Sequence, residues 1–228
     1  MRYDNLQFSV ADDVLALGLR GAYLTIGGLK NRETDSAFEE IRQRQLDLIV
    51  SNLSERSIEE DRDLTGFRKL HEAVKRSNRK NVASPENLLS MLLRYGSLPR
   101  VNLLVDIYNL ISVESRLALG AHDIAKISGN VTLRLTRGDE AFWPLGSPES
   151  KPVTAGEYAY IDDANDIICR LEVRQVEKTK VTLDTTECFY IVQGGPETRP
   201  SYIKATVDRL LALTKQFCGG EERILFAS

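Results

Sequence analysis

The residues of this chain that could do chemistry gather in two stretches. In the first, Asn102, Asp106 and Asn109 recur at i, i+4 and i+7 within an apolar run that includes Leu104, Ile107, Leu110 and Ile111. That spacing puts all three on one helix face. Polar side chains there are costly if buried without partners, so they either bond adjoining loops or wall a cavity. The second stretch, Arg174-Gln175-Val176-Glu177-Lys178-Thr179-Lys180, crowds charge. It makes either a solvated loop or a site whose paired ions have shifted pKa values. Thr179 and Thr185 could donate hydrogen bonds to a ligand or satisfy a turn. Of the two histidines, His71 falls in a strongly charged helical pattern and reads as a solvated side chain. His122 either serves a site or is a turn residue bonded to nearby backbone.

Other chemistries lack their carriers. No G-x-G-x-x-G, P-loop, G-x-S-x-G elbow or H-E-x-x-H occurs, which removes the common dinucleotide, phosphate, serine-hydrolase and zinc sites. Asp162, Asp163 and Asp166 surround Asn165, but the spacing lacks the glycine and terminal glutamate of a calcium loop and reads as a hairpin turn. Cys169, Cys188 and Cys218 are odd in number and form no C-x-x-C pair, as expected of buried thiols in a reducing compartment. Neither a metal nor a cofactor is expected. A formal net charge of -3 argues against electrostatic coating of nucleic acid and leaves only local patches. The densest of these, Lys75, Arg76, Arg79 and Lys80, reads as solvated cations at a helix C-terminus. Met1 to Val10 contains no apolar leader segment, and no apolar stretch approaches the roughly 18 residues that span a bilayer. A cytoplasmic protein with no membrane partner is expected.

Around these residues the elements follow from periodicity. Leu6 to Val10 and Leu17 to Ile26 read as strands, closed by Gly27-Gly28. Ser36 and Glu39 form a capping box for a helix carrying Phe38, Ile41, Leu46, Ile49 and Leu53, and a second helix spans about Leu64 to Arg76. Ser84 caps and Pro85 opens a third, with Leu88, Leu89, Leu92 and Leu93 as its buried face. Gly96 and Pro99 end it, and another runs from about Asn102 to Leu117. Val131 to Leu135, Tyr158 to Ile161, Ile167 to Val173 and Glu187 to Val192 are strands, and Gly146 to Gly156 is a loop. Pro200 opens the last helix, with Ile203, Val207, Leu210, Leu211, Thr214 and Phe217 inward, and Gly219-Gly220 stops it. Helices thus flank a β-rich centre of mixed or antiparallel sheets, an α+β class rather than a doubly wound parallel sheet. Residues 1–100 form a helical and strand-bearing N-terminal part, 101–195 the core, and 196–228 a C-terminal helix and tail, packed as one unit.

The ordered strings Val105-Asp106-Ile107-Tyr108-Asn109, Gly120-Ala121-His122-Asp123 and Lys126-Ile127-Ser128-Gly129, followed by the alternating strand Val131 to Leu135, carry a family resemblance. They resemble the V-D-x-T-N, H-A-F-D and D-K-(I/L)-x-G runs of the B3/4 editing domain of the phenylalanyl-tRNA synthetase beta subunit. Glu177, Val181 and Thr185 fall in register with that family's G-G-E-x-x-x-V-x-x-x-T, and Arg174 to Lys180 is similar to the R-Q-x-E-x-T-K of its stand-alone version. The resemblance implies the B3/4 fold and a pocket for the aminoacylated 3′ end of tRNA. There the ester of a wrong amino acid, chiefly tyrosine on phenylalanine tRNA, would be hydrolysed. An apolar pocket rejects an added hydroxyl by only about 10²-fold, so a second site must bond it. Glu177 stands at the family's hydroxyl-reading glutamate. His122, as the catalytic group, would orient water or contact the terminal ribose. Asn109, Asp106, Gly120, Arg174, Gln175, Thr179 and Thr185 would meet the substrate. Lys178 and Lys180, with Arg174, would meet RNA at the pocket mouth. The family's histidine position holds Gly120 here, and His122 stands two places later. That departure favours an alternative, a non-catalytic binder of a free amino acid or nucleotide-linked ligand in the same pocket. A third possibility is an interaction module docking a partner protein through the charged N-terminal helices.

Overall fold

The strand patterns Arg20–Gly27 and Glu187–Gly194 pair antiparallel along their whole length, with Arg20 opposite Gly194 and Gly27 opposite Glu187. The computed structural model describes residues 2–227. In chain order its elements are β1 (Phe8–Val10), α1 (Asp12–Leu15), β2 (Arg20–Gly27), α2 (Ser36–Val50), α3 (Glu55–Glu59), α4 (Arg62–Ala73), α5 (Ser84–Tyr95) and α6 (Leu103–Ser115). Then come β3 (Ala118–Asp123), β4 (Val131–Leu135), β5 (Tyr158–Asp162), β6 (Ile167–Arg170), β7 (Arg174–Gln175), β8 (Glu187–Gly194), α7 (Pro200–Cys218) and β9 (Glu221–Ala227). The strands form an antiparallel sheet, β3-β8-β2-β9, and a mixed sheet, β1-β4-β5-β6-β7, whose one parallel pair is β1 with β4. The α+β class read from the sequence is the class found.

Alternation decides what each face of the antiparallel sheet meets. Tyr23 of β2 and Phe189 of β8 face the mixed sheet, where the Phe8 ring lies 4.2 Å from the first and 5.5 Å from the second. An aromatic layer therefore joins the two sheets. On the other face Tyr190 meets Tyr108 of α6 edge-on at 6.5 Å. Helix α6, buried along nearly its whole length, packs between α7, α5, α2 and β3. No helix among the described residues is long and apolar enough to cross a membrane.

Local chemistry departs from the sequence reading in four places. Asp35, rather than Ser36, caps α2, its carboxylate accepting from the amides of Ala37 and Phe38 at 3.0 and 3.1 Å. A carboxylate also suits the positive end of a helix. Ser84 caps nothing; it is already helical, and its amide donates to the carbonyl of Glu172 at 3.0 Å. On α5, Leu89 and Leu92 are buried, while Leu93 turns outward. The tail after α7 is a strand: Gly219 and Gly220, at φ 71° and 100°, reverse the chain. They lay β9 along the free edge of β2, from Ala22 opposite Ala227 to Gly27 opposite Glu221. That pairing makes β9 the edge strand of the antiparallel sheet.

Candidate functional site

A cavity of about 400 Å³ lies between the antiparallel sheet and the far end of the mixed sheet. Its size is in the range of small-ligand sites. Ala118, Gly120 and His122 of β3 with Ile191 and Gln193 of β8 form one wall. Val101, just before α6, with Val105, Tyr108 and Asn109 on one face of that helix, forms a second. A third runs from Tyr160 and Cys169 through the segment Leu171 to Gln175, and Ser84, Asn87 and Leu88 of α5 close the fourth side. The rim residues Asn87, Val101, Leu145, Arg174 and Lys180 are exposed.

His122 is the titratable side chain of the β3 wall. Its ring is fully buried, and Nδ1 lies 2.8 Å from the hydroxyl of Thr179. Nε2 is buried without a hydrogen-bond partner among the described residues, an arrangement that is costly for a polar atom. Burial lowers the pKa of the ring to about 3, so it is neutral near pH 7. When Thr179 donates to Nδ1, the ring proton sits on Nε2 and makes it a donor; in the other tautomer Nε2 is an acceptor.

The inner end of the cavity is polar. Leu171 adopts φ 52°, a left-handed conformation rare for a branched side chain, and the turn carries Glu172 inward. One carboxylate oxygen of Glu172 accepts from His71 Nε2 at 2.5 Å; the other accepts from Tyr158 at 2.6 Å and from Gln193 Nε2 at 3.0 Å. Gln193 Oε1 in turn accepts from Tyr160 at 2.5 Å. His71 is thus buried and paired, not solvated as its charged helix suggests, because α4 turns that face toward the core. Burial opposes charging the ring, but the hydrogen bond and charge of Glu172, with Asn78, outweigh it and raise its pKa.

The residues singled out in the sequence divide. Gly120, His122, Asn109, Arg174, Gln175 and Lys180 all line the cavity. Asp106 does not: its carboxylate accepts from the Val101 amide at 3.0 Å, and Asn102 caps α6 through the Val105 amide at 3.2 Å. Thr179 is the partner of His122, and Thr185 donates to Asp123 at 2.9 Å. Lys178 is locked by Asp162, Asp166 and Ser128 at 3.0, 2.6 and 3.1 Å. Its ammonium thereby fills the acidic turn. Glu177 lies outside the cavity lining, its carboxylate on Lys180 and 3.4 Å from the Gly146 amide. Arg76 of the basic run is tied to the buried Glu157. No cluster of metal-ligating side chains occurs among the described residues.

Gly120 has a steric reason. A Cβ there would lie 2.6 Å from Nε2 of Gln175, so the amide of Gln175 occupies the space a side chain on β3 would take. Gly120→Ala is expected to displace that flexible amide at small cost, shifting the melting temperature by no more than about 3 °C, roughly 1 kcal/mol for a chain of this length, while weakening any ligand the amide holds. Calorimetry with a ligand titration checks both halves.

The family model for the B3/4 domain matches residues 68–219, from α4 to the end of α7. The chain belongs to the B3/4 domain family. Every cavity-lining residue, and His71 behind them, lies within the B3/4 match. The B3/4 resemblance read from the motifs is borne out. Among solved structures, the fold is similar to an N-terminal fragment of the phenylalanyl-tRNA synthetase beta subunit from Pyrococcus horikoshii, with a TM-score of 0.51 at 17% identity. The alignment covers 96% of this chain and 50% of that fragment, so the chain spans about half its length. No curated protein matches the sequence.

Sequence reasoning missed the Glu172–His71 pair. The available signal was an acidic residue set between Leu171 and Val173 in an apolar strand pattern. Its partner lies 101 residues away, where no motif points.

Proposed function

We propose that this B3/4 protein is a free-standing hydrolase that removes a mismatched amino acid from the 3′ end of tRNA. The observation that carries the reading is His122, whose Nε2 is buried and unpartnered among the described residues and whose ring lines a ligand-sized cavity. A B3/4 fold similar to the beta-subunit fragment and the exposed Arg174 and Lys180 at the rim support it. Water attacks the ester carbonyl carbon, the bond from that carbon to the ribose oxygen breaks, and the ribose oxygen takes a proton. The amino acid leaves as its carboxylate, with no covalent intermediate. Cys169 is not a competing nucleophile, because burial raises its thiol pKa and keeps it protonated. His122 binds the carbonyl oxygen or orients the water. A ring with a pKa of about 3 is a weak base at neutral pH, so His122 positions rather than deprotonates, and the vicinal ribose hydroxyl relays the proton of the attacking water to the leaving ribose oxygen.

Two carboxylates could read a side-chain hydroxyl: Glu177 at the rim, which the resemblance indicates, and Glu172 at the inner end of the cavity. Wild type is expected to deacylate at least one member of a panel of mischarged tRNAs, tyrosine on phenylalanine tRNA among them. Glu177→Ala alongside tests whether the rim carboxylate discriminates. Persistence of every ester at its background rate sinks the reading. Saturable binding of free tyrosine without turnover instead supports a non-catalytic binder, which the weak basicity of His122 and the amide in place of a side chain at Gly120 would favour.

A further inference from the structure

Trp143 is the only tryptophan of the chain and is 51% exposed. Its indole is held in place, with Nε1 donating to the carbonyl of Ser147 at 2.8 Å. That bond uses the one polar atom of the ring and leaves the apolar faces as its accessible chemistry. The surrounding backbone is held as well. Pro144 bridges Val176 in antiparallel fashion, Leu145 N donates to Gln175 O at 2.9 Å, and Glu177 N donates to Trp143 O at 3.1 Å.

This pairing fixes which way Trp143 faces. Residues directly opposite in an antiparallel pair project to the same side, and successive residues alternate. Trp143 and Leu145 therefore share a side with Glu177 and Gln175. Leu145 and Gln175 line the cavity, so that side is the cavity side, and Trp143 extends the wall one residue pair beyond the mouth. Lys180, exposed, stands on that side through its pairing with Glu177, while Arg174, also exposed on the cavity rim, makes no ion pair among the described residues.

We propose that Trp143 is a stacking platform for a nucleobase of single-stranded RNA entering the cavity mouth, with Arg174 and Lys180 facing the adjoining phosphates. The inference rests on the hydrolase reading only in taking the cavity as the seat of the terminal ribose. A flat ring beside cations at an opening suits a single strand, whose unpaired bases offer a π-face whatever their identity. With a formal net charge of -3, general electrostatic attraction supplies little affinity, so binding at this mouth rests on stacking and the local cations.

As the sole tryptophan, Trp143 reports on its own occupancy. An uncharged tetranucleotide ending in 3′-CCA, titrated into the wild-type protein, is expected to quench tryptophan fluorescence saturably. By anisotropy of the labelled oligonucleotide, Trp143→Ala is expected to weaken binding about 10- to 100-fold, with Trp143→Phe restoring part of it. Binding without quenching, binding that Trp143→Ala leaves unchanged, or no binding at all overturns the proposal. The oligonucleotide carries no ester, so these outcomes are independent of deacylation. Quenching in a protein inactive on every ester would sink the hydrolase reading alone, while deacylation without quenching would sink the platform alone.

Discussion

Glu172→Ala is expected to lower stability by about 3–5 kcal/mol, the range for removing one partner of a buried ion pair. At roughly 2–4 °C per kcal/mol for a chain of this length, the melting temperature falls by about 10 °C. The cost arises from what remains behind. His71 loses its acceptor, Tyr158 and Gln193 each lose theirs, and all three are buried. Glu172→Gln keeps the shape and one acceptor oxygen and is expected to cost less. A change below about 1 kcal/mol in Glu172→Ala would mean that the pair is not buried and bonded in solution.

The same pair gives stability a pH dependence of definite sign. The folded pKa of His71 lies above its unfolded value, so its contribution is fully present below about pH 6.5 and is lost as pH rises through the folded value. His122 runs the other way. With its folded pKa at about 3, its neutral burial is undisturbed above about pH 6.5, and stability falls as pH drops from there toward 3. Melting temperature against pH is therefore expected to decline on both flanks. Glu172→Ala should flatten the alkaline flank, and His122→Ala the acid one.

His122→Ala is the second large effect, this time on rate. Under the hydrolase reading it is expected to lower kcat/KM for deacylation by about 10²- to 10³-fold, the usual cost of one positioned donor. Loss of the ring also leaves Thr179 without its side-chain partner, so the melting temperature of the variant must be read beside its rate. The pH profile separates a positioned neutral ring from a titrating base. A histidine base with an ordinary pKa would impose an inflection near pH 6.5, whereas a ring neutral down to about 3 imposes none between about pH 5 and 8. An inflection near 6.5 that disappears in His122→Ala would overturn the assignment of a neutral ring.

The catalytic reading depended on features of unequal legibility. The string Gly120-Ala121-His122-Asp123 was visible only through the family resemblance, and the fold added that it lies on strand β3 with Gly120 and His122 on the cavity face. Asn109 was legible from its spacing, which sets it with Asn102 and Asp106 on one face of α6. On that helix, however, spacing alone could not separate cavity from cap. Asn102 and Asp106 share the repeat with Asn109, yet both bond the backbone around residues 101–105. The charged run from Arg174 was visible as a cluster but not as a layout. Only the folded chain sends Arg174 and Lys180 to the rim while Asp162 and Asp166 capture Lys178.

Local sequence determined most of the elements, the α+β class and the family, because helix and strand periods, caps and short motifs act over a few residues and need no knowledge of distant partners. Tertiary structure alone decided that His71 is buried against Glu172, that the amide of Gln175 fills the place beside Gly120, and that the tail returns as β9 on β2. Each of these joins groups far apart in the chain. Burial, which sets their charge and bonding, depends on the whole fold rather than on neighbours in sequence.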